Sequence, residues 1–273
     1  MSEIVLSSGV RSNLLQLQQT SDLITQTQNE LATGKKINSA LDGAINFFTA
    51  QGLDNRANTL NSLLDSMSNG INTIQAANNG ITSITKLVQS AQALVSQAQQ
   101  ANNTTTQATL ATQFNSLLTQ IGQLASDSGF NGVNLLGGNT LAVTLDETGT
   151  SSVSVAGVNY TNANNAPLSL ANATNNWVAA SDITAASTAL SSALTSLQGE
   201  AQTLSSSLST VQIRQDFTKS MVNTLQTGSD DLTLADSNEE GANLLALQTR
   251  QQLSSTALSL AAQADQNVLR LFR

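Results

Sequence analysis

Apolar residues recur along this chain at helical spacing over stretches far longer than a globular helix needs. Leu60, Met67, Ile74, Ile81, Val88 and Val95 fall every seven residues, and Leu63, Ala77, Ile84, Ala91 and Ala98 occupy most of the interleaved positions. A seven-residue apolar repeat keeps one seam turned toward a partner helix, which is the pattern of a coiled coil. A helix over 60–98 would be roughly 58 Å long at about 1.5 Å per residue. A second seam, Ile183, Leu190, Leu197, Leu204 and Val211, with Leu194, Ala201 and Leu208 beside it, predicts a return helix packed antiparallel on the first. A third helix, about 105–128, carries Leu110, Phe114, Leu117, Leu118, Ile121 and Leu124 at three- and four-residue spacing and completes a bundle.

Between the second and third seams the period changes from helical to alternating. Leu141, Val143 and Leu145, then Val153 and Val155, alternate with polar residues around Asp146-Glu147-Thr148-Gly149-Thr150. That pattern predicts a β-hairpin over about 138–160, preceded by a turn at Phe130-Asn131-Gly132. The only proline, Pro167, falls in an Asn- and Ala-rich stretch, about 159–180, read as a variable exposed segment.

Both ends carry thinner stripes. Val10, Leu14, Leu17, Ile24 and Leu31 mark the first segment, and Leu253, Ala257, Leu260, Ala264, Val268 and Leu271 the last. A helix of about 30 residues with so narrow an apolar face is marginal in water, because ordering entropy offsets most of what it buries. These ends need partners beyond each other.

Composition sharpens the picture. Ser, Thr, Asn and Gln make up 120 of 273 residues, while 10% are charged and 3% aromatic. A soluble surface normally carries about a quarter to a third Lys, Arg, Glu and Asp, so this neutral polar surface is suited to packing against copies of itself. Charge is also unevenly placed: residues 87–213 contain no Lys or Arg and five acids. The net charge of -8 argues against nucleic acid and anionic membrane as partners. No run approaches the roughly 20 apolar residues of a membrane span. Met1-Ser2-Glu3-Ile4-Val5-Leu6 lacks a basic n-region, so if the protein leaves the cell it is expected to do so without a cleaved signal peptide.

Candidate chemistry is sparse. With no His and no Cys, imidazole bases, thiolate nucleophiles, disulfides and the commonest transition-metal ligands are excluded. Asp230, Asp231, Asp236, Glu239 and Glu240 lack the alternating ladder and Gly of a calcium loop, and read as a solvated linker and a helix N-terminus. Gly137-Gly138 is a turn without the Lys of a phosphate loop. No cofactor, metal or catalytic residue is assigned.

Taken in order, these pieces resemble bacterial flagellin. Leu31-Ala32-Thr33-Gly34-Lys35-Lys36-Ile37-Asn38-Ser39-Ala40 is similar to a family segment, and Asn69-Gly70-Ile71 through Ala98 to the helix after it. Phe130-Asn131-Gly132-Val133-Asn134-Leu135-Leu136 resembles the family's turn, and Glu239-Glu240 with Gln263, Asn267-Val268-Leu269 and Leu271 its C-terminal helix. The resemblance implies a filament subunit whose terminal helices pair into an inner tube inside a shell of bundle and hairpin. It also implies type III export and tip assembly under a cap. The stretch 140–180 is too short for large outer domains, as in a minimal, alphaproteobacterial-like form. The family's innate-immune-receptor site is usually charged, whereas Ser90, Gln92 and Ala93 stand there.

The expected fold is mainly α, an elongated antiparallel coiled-coil helical bundle with a small β-hairpin. Its parts are an N-terminal core helix and linker (1–43) pairing with a linker and C-terminal core helix (230–273), around a bundle shell domain (44–229). The expected function is a structural, non-enzymatic subunit that self-polymerises into the extracellular flagellar filament. A hook–filament junction protein and a secreted coiled-coil adhesin or effector are the alternatives. Self-assembly is assigned to Val10, Leu14, Leu17, Ile24, Leu31, Leu253, Leu260, Val268 and Leu271. Arg250 and Arg270 are candidates for ion pairs between subunits. Expected partners are further copies, cap and hook–filament junction proteins, and an export chaperone at the C-terminal segment.

Overall fold

Helix follows apolar period through most of this chain, and the breaks fall where side chains offer the backbone other hydrogen bonds. The computed structural model describes residues 8–271, without the side chains of Asp265 and 268–271. Among the described residues the helices are α1 (Ser8–Thr33), α2 (Ala40–Gln100), α3 (Thr104–Asp127), α4 (Ala180–Thr233) and α5 (Ser237–Leu271). Strands β1 (Leu141–Thr144) and β2 (Ser152–Val155) form an antiparallel pair, and a single 3₁₀ turn covers Asn175–Trp177. No described helix is long and apolar enough to cross a membrane. The chain divides into two compact units, Arg56–Asn223 and the residues up to Asn55 together with those from Thr224.

In the unit 56–223 both heptad seams are inside. Leu60, Met67, Ile74, Ile81, Val88 and Val95 on α2 are all buried, as are Ile183, Leu190, Leu197, Leu204 and Val211 on α4. All of these but Leu60 share one apolar cluster with Phe114, Leu118 and Ile121 of α3. Asn103 caps α3, its side chain accepting from the Thr105 amide at 2.8 Å. Asn134 does more at the other end. Its amide donates to the Ala125 and Ser126 carbonyls at 2.9 and 3.0 Å, and its Oδ1 accepts from the Leu136 amide at 2.9 Å. Phe130 and Val133 exchange backbone hydrogen bonds of 2.9 and 3.0 Å across Asn131 and Gly132, at φ 48° and 80°. Both central residues with positive φ make this the two-residue hairpin turn that Asn-Gly favours.

The β1–β2 register sets Leu141 opposite Val155 and Val143 opposite Val153. Val143 and Val155 are buried, so alternation turns one face to the bundle. At the tip, the Asp146 carboxylate accepts from the Thr148 hydroxyl, the Ser151 amide and the Thr150 hydroxyl, which hold it well below the usual carboxylate range. Glu147 meets the Arg56 Nε at 2.6 Å.

The stretch 159–180 departs from expectation. Read as exposed, it instead buries Tyr160, Ala163, Leu168, Leu170 and Trp177. The Trp177 ring packs on Phe114, centroids 4.9 Å apart and planes tilted by 52°, and the Ala173 amide donates to Asn115 Oδ1 at 2.8 Å. The apolar residues are too widely and irregularly spaced to carry a period, which is why they read as a loop. Close approach also fixes Gly122, where a Cβ would collide with the Thr161 carbonyl.

Candidate self-assembly surface

The terminal unit is built from two helices and the short connections that strap them together. Helix α1 ends at Gly34, and the Gly34 carbonyl accepts from the Ala235 amide at 3.0 Å. The Lys36 and Ile37 amides donate to the Thr233 carbonyl at 2.8 and 3.3 Å. Both following helix starts are capped. Asp42 accepts from the Ser39 amide and hydroxyl and the Asn38 amide, bonds that hold its carboxyl below the usual range. Asp236 Oδ1 accepts from the Asn238 amide at 2.8 Å, and Glu239 and Glu240 add negative charge at the positive end of α5. Asp230 and Asp231 lie within α4 rather than in a linker. Among the described residues no three acidic side chains converge as metal ligands would.

Helices α1 and α5 pack on one another, antiparallel because the end of one is strapped to the start of the other. On α1 the covered line is Leu17, Thr20, Ile24, Thr27 and Leu31, half-buried or buried. Thr20 is accommodated because its hydroxyl donates to the Gln16 carbonyl at 2.8 Å, and buried Glu30 accepts from Gln26 at 2.9 Å. On α5 the half-buried positions are Leu244, Leu247, Gln251, Ser254, Leu258 and Ala261, in alternating three- and four-residue steps.

The sequence stripe on α5 is a different line. Leu253 and Leu260 are 67% and 62% exposed, and Ala257 and Ala264 are exposed with them. From Leu258 to Leu260 is two residues, about 200° around a helix, so the two lines lie on opposite sides of α5. One is covered within the chain. The other has no cover among the described residues. Of the α1 residues assigned to assembly, Val10 is buried, Leu17, Ile24 and Leu31 are half-buried, and Leu14 is exposed. The side chains of Val268, Leu271 and Arg270 lie outside the described residues.

Sequence reasoning passed over other uncovered apolar residues. Leu15, Leu23 and Leu245 are exposed. So are Leu41, Ile45 and Phe48, whose four- and three-residue steps carry a helical signal across the expected boundary between linker (1–43) and shell domain (44–229). Leu23, Leu247 and Arg250 line a groove of about 320 Å³. Ser90 and Ala93 are exposed and Gln92 half-buried, so the α2 surface there is uncharged.

The polar surface has its own character. Hydroxyls of Thr82, Ser90, Thr112, Thr188 and Thr203, among others, donate to the carbonyl four residues earlier on their helix. A hydroxyl already bonded within its own helix loses less when another surface displaces its water.

Comparison with known proteins fits this geometry. Residues 7–140 match the model of the bacterial flagellin N-terminal helical region, and 187–272 that of the C-terminal helical region. Flagellin FljM of Caulobacter vibrioides is 30% identical over 275 residues, covering 100% of this chain and 99% of that protein. A flagellin of Brucella melitensis is 30% identical over 285 residues, covering 100% of both. Flagellin A of Rhizobium meliloti is 43% identical over 81 residues, 30% of this chain and 21% of that protein.

Proposed function

The chain belongs to the bacterial flagellin family and is a structural subunit of the extracellular flagellar filament, and from that premise we propose which surfaces build the polymer. The uncovered line of α5, Leu253, Ala257, Leu260 and Ala264, buries against neighbouring copies together with Leu14, Leu15 and Leu23 of α1. The observation that carries this reading is the two-sided α5, apolar on opposite faces with one face covered by α1. An apolar line left exposed beside one already covered is a surface for a second partner, and the described residues supply only the first. Val10, Leu17, Ile24 and Leu31 then act indirectly, by holding the α1–α5 pair that presents the free face. Val268 and Leu271 continue the same line in sequence.

In this reading 1–43 with 230–273 forms the inner layer and 44–229 the surrounding shell. The subunit acts mechanically, with no residue given to catalysis. Cap proteins at the growing tip, junction proteins at the hook and an export chaperone on the C-terminal segment are its partners. The neutral, self-bonded hydroxyl surface supports close packing of copies, since little charge must be stripped of water.

Electron microscopy of concentrated purified protein tests the reading. Long filaments are expected from the unaltered chain and none from Leu260→Asp, because an unpaired charge buried at a contact costs several kcal/mol, while circular dichroism of the monomer stays the same. Monomers alone from the unaltered chain would instead favour a junction protein. Leu17→Asp is expected to block filaments for another reason, by breaking the α1–α5 pair in the monomer.

A further inference from the structure

Between Lys86 and Arg214 the chain has no basic side chain, so a carboxylate there without local donors has no cation nearby in sequence. Asp182, in the first turn of α4, is such a group. Its Oδ2 is buried and accepts no hydrogen bond among the described residues. It lines a recess of about 240 Å³ together with Asn172, Thr174, Trp177, Ala186 and Ala189. Leaving a buried oxygen unmatched is costly, and rotation about the broad terminal torsion of the carboxylate turns either oxygen toward the recess. Methyl walls with one indole and one carboxylate suit a long side chain with an aliphatic stem and a planar cationic head, which is arginine. Asn172 and Thr174 offer acceptors for the remaining guanidinium donors.

The complement stands further along the same helix. Arg214 is exposed, and the ion pairs among the described residues, Arg56–Glu147 and Lys219–Asp216, do not include it. Beside it Ile213 and Phe217 are 66% and 56% exposed. From Asp182 to Arg214 is 32 residues, about 48 Å along a helix. The two cannot meet within one molecule, but they can meet between two.

We propose that Arg214 of one copy enters the Asp182 recess of the next, its stem against Ala186 and Ala189 and its head on the carboxylate. Ile213 and Phe217 cover the mouth of the recess, where Val178, 59% exposed, stands four residues before Asp182. The proposal rests on the filament reading and adds to it a named contact between the 56–223 units of two copies. Because the two patches differ, the contact is heterologous: a row of copies ends in a free recess at one end and a free Arg214 at the other, so the same contact repeats along a polar row. The charge pattern also gives specificity, since two recesses or two Arg214 patches brought together repel.

Seeded polymerisation of the full chain, read by sedimentation, tests this alongside thermal melting of the monomer. Arg214→Glu and Asp182→Arg are each expected to raise the critical concentration at least about tenfold, with monomer melting unchanged. An equimolar mixture of the two variants is expected to polymerise near the unaltered level, since each supplies the charge that the other's altered site needs. Polymerisation of Arg214→Glu at the unaltered critical concentration, or a mixture no better than its components, would overturn the contact. If a reversal lowers monomer melting, Arg214→Gln and Asp182→Asn replace it. Their combined loss is expected to be less than the sum of the single losses, and simple additivity would overturn the contact. Failure of the unaltered chain to polymerise from seeds would sink the filament reading instead.

Discussion

Leu258 and Leu260 stand two residues apart on α5, and their different surroundings make each the control for the other. Leu258 lies half-buried in the line against α1, while Leu260 is 62% exposed on the opposite side. Fully burying a leucine contributes about 1.5–3 kcal/mol, so Leu260 has about 1–2 kcal/mol still to gain when a neighbouring copy covers it. Leu260→Ala forfeits most of that, and at about 1.4 kcal/mol per tenfold the critical concentration for polymerisation should rise about five- to thirtyfold. Amide exchange along α1 and α5 of the monomer should not change. Leu258→Ala instead opens the covered line, and a loss of about 1 kcal/mol there speeds exchange in both helices about fivefold. Sedimentation gives the first number and hydrogen–deuterium exchange the second. The two-sided account of α5 fails if Leu260→Ala speeds exchange as much as Leu258→Ala, or if it polymerises as the unaltered chain does.

Other perturbations test the 56–223 unit. Gly122→Ala drives a methyl into the Thr161 carbonyl and should cost about 1–3 kcal/mol of thermal stability, as overpacking does. Leu197→Ala, at a fully buried seam position, should cost about 2–5 kcal/mol, seen as a lower denaturation midpoint with an unchanged slope. Tyr160 is the only tyrosine and is pushed up to about 12 by burial and by Glu200. Because its pKa is raised in the folded state, its contribution is fully present below about pH 10 and is lost as pH climbs toward 12. Tyrosinate absorbance should therefore appear together with loss of helix, and titration near 10 in a folded protein would contradict the buried placement.

The heptad lines on α2 and α4 were legible because a seven-residue apolar repeat leaves a helix only one way to hide it, and every residue of the two seven-residue repeats, Leu60 to Val95 and Ile183 to Val211, is buried. The hairpin was legible for a similar reason: alternation fixes which residues face inward once a turn is placed. The stretch 159–180 was not. Tyr160, Leu168, Leu170 and Trp177 have no common period, and only the surrounding bundle, α3 among it, decides that they are covered. The recess at Asp182 was equally hidden, since its walls come from residues brought together by that irregular stretch.

On the terminal helices the division is plainest. Local sequence determined that α1 and α5 form, where Ser39 and Asp236 start the helices that follow their straps, and that apolar side chains line them. Tertiary structure decided which line goes to which partner. Leu244, Leu247 and Leu258 face α1, and Leu253 and Leu260 face away. Periodicity records how apolar residues are arranged around one helix axis, but coverage depends on the rotation of that helix against another, and this is set by contacts between residues more than two hundred positions apart.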